Sequence, residues 1–111
     1  MIYKILSRDE WNSAQESGKF IGSSLDLRDG YIHFSAASQL RETVRLHYRG
    51  AKNMVVLGVC EESLACHLRW EPSRGGELFP HLYCDLEVNQ VLKVYDAPLI
   101  EGGFPLLDLL D

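Results

Sequence analysis

With 111 residues, of which 46% are apolar and 24% charged, the chain has the composition of one globular domain that can bury a core without metal or disulfide staples. A net charge of −5 and a pI near 5.3 exclude a basic face for nucleic acid as the default, leaving room only for a local basic pocket. The three cysteines, Cys60, Cys66 and Cys84, show no CxxC spacing, and the longest apolar run, Met54 to Val59, is too short to cross a bilayer. With no secretory leader at the N-terminus, a cytoplasmic protein with reduced thiols is expected.

In chain order, Ile2 to Leu6 is rich in β-branched and aromatic residues and predicts a first strand. Ser7-Arg8-Asp9-Glu10 has the form of a capping box, opening a short helix with Trp11 and Ala14 on its buried side and Gly18 as its stop. Phe20 to Leu27 reads as a Gly/Ser-containing connection, and Asp29-Gly30 as a tight turn. Tyr31 to Ser35 follows as one strand, and period two puts Tyr31, His33 and Ser35 on one face, Ile32 and Phe34 on the other. The aliphatic face is the core-facing choice, so His33 and Ser35 look the other way. A second helix is expected over about Ala36 to Tyr48, ending at Gly50, with Ala37, Leu40, Val44, His47 and Tyr48 as its buried stripe. Met54 to Val59 lacks polar alternation, as a central strand covered on both faces does. A short helix from Glu61 to Leu68 leads into a strand from Leu68 to Glu71. After a long loop come a strand from Leu82 to Leu86, a turn at Glu87-Val88-Asn89-Gln90, and a last strand from Val91 to Tyr95. The domain is placed at 1–97. The Leu-rich tail 98–111 is either a short docking helix or an apolar patch that meets a partner chain, the latter giving a homodimer through the tail.

The informative stretch runs from Trp70 to Tyr83 and is expected to form a shaped loop in a site. Gly75-Gly76 allows positive φ and close backbone approach, while Pro72 and Pro80 stiffen both ends. Glu71 is the candidate catalytic carboxylate, with Trp70 beside it as the apolar neighbour that would raise its pKa. Arg74 either pairs with Glu71 or Glu77 to shape the loop or offers a planar fork to a phosphate or carboxylate. His81 and Tyr83, two apart, share a face on an extended segment, as His33 and Ser35 do. His33 and Ser35 can exchange hydrogen bonds with ribose hydroxyls or an amide, or else satisfy each other and the nearby backbone. No metal site is expected, since the four histidines are widely spaced with no HxxxH or HxH, and no phosphate-cradling loop or nucleophile elbow is present.

Asp29-Gly30-Tyr31-Ile32-His33-Phe34-Ser35, Trp70-Glu71 with Arg74-Gly75-Gly76, and Phe79-Pro80-His81-Leu82-Tyr83 resemble the bacterial domain-of-unknown-function family 952. The resemblance runs from Ile2 to about Tyr95. That family is grouped by fold with the ADP-ribosyltransferases and RNA 2′-phosphotransferases. The resemblance therefore implies a compact α+β domain with a split, mostly antiparallel sheet and a cleft between its halves. It places His33 where those transferases hold a ribose, though Glu71 precedes Tyr83, the reverse of their order of aromatic and acid. The residues and the resemblance together lead to a small-molecule ligand of the NAD or ADP-ribose type or another small anion, with Glu71 and His81 as the candidate catalytic residues. Ligand contacts fall to His33, Ser35, Arg74, Gly75, Gly76 and Tyr83. Two readings stay open: a ligand-binding domain extending to transferase or phosphotransferase chemistry, and a non-catalytic interaction module whose polar residues are structural. Neither involves nucleic acid or membrane.

Overall fold

The computed structural model of the chain describes residues 1–47 and 53–97, apart from the side chains of His47, Arg74 and Ala97. The expected end of the second helix at Tyr48 and Gly50, and the tail 98–111, lie outside the described residues. In chain order the elements are β1 (Ile2–Ser7), α1 (Arg8–Ser17), β2 (Lys19–Phe20), α2 (Ser24–Asp29), β3 (Ile32–His33), β4 (Ser35–Ala36) and α3 (Ala37–His47). Then come β5 (Met54–Val59), a 3-10 turn at Glu61–Leu64, β6 (Leu68–Pro72), β7 (Leu78–Leu82), β8 (Leu86–Glu87), a 3-10 turn at Val88–Gln90 and β9 (Val91–Ala97).

Among the described residues three antiparallel sheets form the frame: β4-β1-β5-β9, β3-β7-β6, and the short pair β2-β8. The apolar run of β5 sits at the centre of the first, and every one of its residues is buried. Val55, Leu57 and Val59 face a core made with Trp11 and Ala14 of α1, Phe20, Ile32, Phe34, Leu82 and Leu86. Met54 and Val56 face the opposite side, against Tyr3 and Ile5 of β1 and Leu40 and Val44 of α3. Each large apolar side chain so buried contributes about 1.5–3 kcal/mol. The domain is a mixed α+β fold with antiparallel sheets and helices on both faces of β5.

Local sequence explains α1. Ser7 Oγ accepts from the Glu10 amide at 3.0 Å and Glu10 Oε1 accepts from the Ser7 amide at 2.9 Å. Gly18 closes the helix at φ 90°, a left-handed conformation that glycine adopts without steric cost.

Several expectations need correction. The connection from Phe20 to Leu27 holds β2 and the first residues of α2, and the tight turn at Asp29-Gly30 is the left-handed end of that helix. A six-residue helix that buries only Asp26 leaves no apolar periodicity to find. The strand expected from Tyr31 to Ser35 is two strands in different sheets. His33 pairs with His81, whereas Ser35 pairs with Tyr3, and the chain changes sheets at Phe34.

The long loop is mostly a hairpin: Trp70 pairs with Pro80 and Glu71 with Phe79, leaving Ser73 to Glu77 as the connection. Pro80 is tolerated inside β7 because β3 has already ended opposite it, and its carbonyl still accepts from the Phe34 amide at 3.0 Å. Finally, β7 stops at Leu82, β8 is only Leu86–Glu87, and the helix expected from Glu61 to Leu68 is a single 3-10 turn at Glu61–Leu64.

Gly75 and Gly76 hold φ 69° and 80° in the hairpin connection, and a Cβ at either would meet nothing within 4 Å. Their requirement is conformational, not close approach. Gly75→Ala and Gly76→Ala are each expected to cost about 1 kcal/mol by urea denaturation, through the left-handed backbone alone. A neutral result at both would show that the connection tolerates other backbone conformations.

Candidate functional site

Register places a set of odd-numbered residues on one face of the β3-β7-β6 sheet. His33 lies opposite His81, which lies opposite Arg69, and Phe79 lies opposite Glu71. Tyr31 and Tyr83 flank the two histidines. The Tyr31 ring stacks on His81 at a centroid distance of 4.1 Å and lies 4.6 Å from His33 and 5.2 Å from Tyr83. The two imidazoles stand 5.6 Å apart, edge to face.

Each imidazole is held by carboxylates from another element. His81, only 3% exposed, bonds through Nδ1 to Glu71 Oε1 at 2.9 Å, and Tyr83 donates its hydroxyl to the same oxygen at 2.6 Å. Tyr83 first, and then His81, hold the Glu71 carboxyl below the usual range. Trp70 has no part in this: it is exposed and sits at the alternate register position, so the expected rise of the Glu71 pKa is replaced by a fall. The same bond pushes the Tyr83 phenol up.

His33 sits between two aspartates of α2. Its Nδ1 is 2.6 Å from Asp26 Oδ1 and its Nε2 is 3.0 Å from Asp29 Oδ2. Donating to both at once requires the doubly protonated ring. Asp26 also accepts from Lys4 Nζ at 3.1 and 2.9 Å, from the Ser23 amide at 2.9 Å and from the His33 amide at 3.2 Å. Lys4 and Asp26 are 3% and 2% exposed, so this is a buried ion pair.

Burial pushes the Asp26 carboxyl up, but His33, the Lys4 charge and bond, and the Ser23 amide outweigh it and hold it at about 2. Because the folded value lies below the ordinary 3.8, the group adds stability above about pH 4 and loses it as pH falls towards 2. A shift of this size corresponds to about 2 kcal/mol. Denaturant midpoints between pH 5 and pH 2 are expected to fall accordingly, and the fall should be shallower in Asp26→Asn, where Glu71 and Asp29 still contribute to it.

A cavity of ≈ 100 Å³ opens beside the two histidines, with Lys4, Asp26, Ser35, Thr43 and Ser73 also in its walls. Of the residues singled out in the sequence, His33, His81, Glu71 and Tyr83 are brought together. Ser35 reaches the cavity from the other sheet, where its hydroxyl bonds Thr43 at 3.0 Å rather than His33. Gly75 and Gly76 stay in the exposed hairpin connection. The Arg74 side chain lies outside the described residues; Glu71 is bonded as above, and Glu77 accepts from Gln39 at 3.1 Å. Among the described residues no group of three or more His, Cys, Asp or Glu side chains is placed to hold a metal ion.

Sequence reasoning missed Lys4, Asp26, Asp29, Gln39 and Thr43, and it gave Tyr31 a face but no role. Lys4 carried a usable signal as the lone cation within Ile2-Tyr3-Lys4-Ile5-Leu6. Ser23-x-x-Asp26 has capping-box spacing, which marks a helix start but not the reach of its carboxylate to β1 and β3.

The model of the family described as "Protein of unknown function (DUF952)" matches residues 5–94. The chain belongs to the DUF952 family. Among solved structures, the crystal structure of protein CC0527 from Caulobacter crescentus is 50% identical, with a TM-score of 0.93 over 96% of this chain and 93% of that one. The solution NMR structure of CC0527 is 48% identical, with a TM-score of 0.86 over 97% of both chains. No curated protein matches. Likeness of this degree to two experimental structures carries the α+β architecture of the DUF952 domain, and no described helix is long and apolar enough to cross a membrane.

Proposed function

We propose that this DUF952 domain binds a small nucleotide-like molecule of the NAD or ADP-ribose type at the face shared by His33 and His81. The carrying observation is the pair of imidazoles, 5.6 Å apart on neighbouring strands, each oriented by a carboxylate from a different element beside a cavity. Oriented imidazoles exchange hydrogen bonds with ribose hydroxyls, and the exposed Tyr83 ring, with Arg69 5.4 Å from its centroid, offers a flat surface to a base. The reading extends to an ADP-ribosyltransferase-like fold and to transferase chemistry. Glu71 and His81 then form the couple that moves a proton, because a carboxylate on Nδ1 leaves Nε2 as the basic nitrogen. Three unpaired thiols, Cys60, Cys66 and Cys84, support a reducing, cytoplasmic setting.

One observation favours the competing, non-catalytic reading for half of the site. His33 is bonded at both ring nitrogens within the Lys4–Asp26 network, as a structural strut would be. Calorimetric titration with NAD and with ADP-ribose separates the two. Saturable heat with either supports a ligand site, and none with both leaves the structural module.

A further inference from the structure

We infer that the cavity behind His81 accepts an uncharged, ring-sized group carrying a hydroxyl or amide N–H, and that it rejects anions. This deepens the ligand reading above and rests on it by naming which end of the ligand goes inside.

The Nδ1 of His81 faces Glu71, whose carboxyl is held in the anionic form by Tyr83 and by His81 itself. A carboxylate can only accept, so the proton of the neutral imidazole sits on Nδ1 and Nε2 presents a lone pair. Among the described residues Nε2 has no hydrogen-bond partner, although the side chain is only 3% exposed. No sealed-off side-chain nitrogen or oxygen among those residues lacks a partner, so Nε2 opens onto reachable space, and the space that His81 lines is the cavity. A buried acceptor aimed into a hollow recognises a donor.

The remaining walls set the charge and shape of that donor. Two groups in the lining can carry positive charge, and carboxylates match both: the Lys4 ammonium by the two oxygens of Asp26, and the His33 ring by Asp26 and Asp29. An incoming anion would compete with a buried carboxylate at that ammonium, lose its hydration, and meet the lone pair of His81. The Ser35–Thr43 hydroxyl pair is neutral and can either donate or accept. Phe34, Phe79 and Ile5, all at most 6% exposed, complete an apolar surround. An empty apolar void of about 150 Å³ takes up benzene. A space of ≈ 100 Å³, with Ser23 and Ser73 also in its walls, is of that order. For a nucleotide-like ligand, the phosphates then remain outside and an uncharged ring enters.

The test is a titration of the isotope-labelled full chain with phenol and, separately, with benzoate. The observables are the His81 ring nitrogens and the Phe34 and Phe79 ring signals by NMR. Phenol is expected to move all three saturably, with benzoate at least tenfold weaker. Thr43→Ile, which puts a larger side chain in the cavity wall, is expected to abolish the phenol response while the β5 and β9 amides stay unmoved. Benzoate binding as well as phenol, or no saturable response to phenol, overturns the inference. If ADP-ribose gives heat but phenol gives no response, this inference fails alone. If phenol binds and no nucleotide does, the nucleotide reading fails and the cavity assignment stands.

Discussion

Asp26→Asn is expected to lower the unfolding free energy by about 3–5 kcal/mol, the range seen when one partner of a buried ion pair is removed. The reason is Lys4. Its ammonium is 3% exposed at the centre of β1, and burial lowers its pKa against the raising effects of the Asp26 charge and bond and of Glu10. Once the Asp26 charge is gone, the ammonium must either stay charged without compensation or lose its proton, and both weaken the fold. The double variant Lys4→Met, Asp26→Leu removes both charges and is expected to recover most of the loss, since apolar replacements of a buried pair are often neutral. Urea denaturation of the two variants checks this, with unchanged slopes showing that the unfolded reference is the same. A loss under about 1 kcal/mol in Asp26→Asn would show that the pair is hydrated rather than buried.

For the site itself, His81→Phe is expected to raise the Kd for ADP-ribose about tenfold to hundredfold, the equivalent of one or two hydrogen bonds to an oriented group. Phenylalanine keeps a ring for Tyr31 to stack on, and Glu71 keeps its bond from Tyr83, so the fold should be little disturbed. His33→Phe should weaken binding too, but with a clear loss of stability, because His33 is tied into the Asp26 network. Calorimetry alongside thermal melting separates the two effects. Undiminished affinity in His81→Phe, in a protein that binds as wild type, would move the ligand away from this face.

Much of the frame was legible in the sequence, for physical reasons. The unbroken apolar run of β5, the Ser7/Glu10 capping box and the Gly18 stop are local signals, and each needs only its own neighbours to be true. Period two put His33 with Ser35 and His81 with Tyr83, but the meeting of His33 and His81 is a matter of β3 pairing with β7, which neither segment encodes alone. What stayed hidden depends on partners distant in sequence. Pro72 and Pro80 suggested a loop, because nothing local tells that β3 ends where the proline would have needed a partner. Asp26 looked like a helix-start residue, and only the fold brings it against Lys4 from 22 positions away. Trp70 was credited with an influence on Glu71 that sequence adjacency suggested and strand alternation removes.

Helix α2 has no hydrophobic anchor of its own. Leu25 and Leu27 are 37% and 60% exposed, and Asp26 is the residue it buries. At six residues it is also far below the length at which a helix persists alone. Its amides should therefore exchange with deuterium at a rate set by the grip of one carboxylate on β1 and β3, decoupled from the slow, protected hydrogens of β5. The segment can thus fray and reform next to His33 while the rest of the domain stays folded.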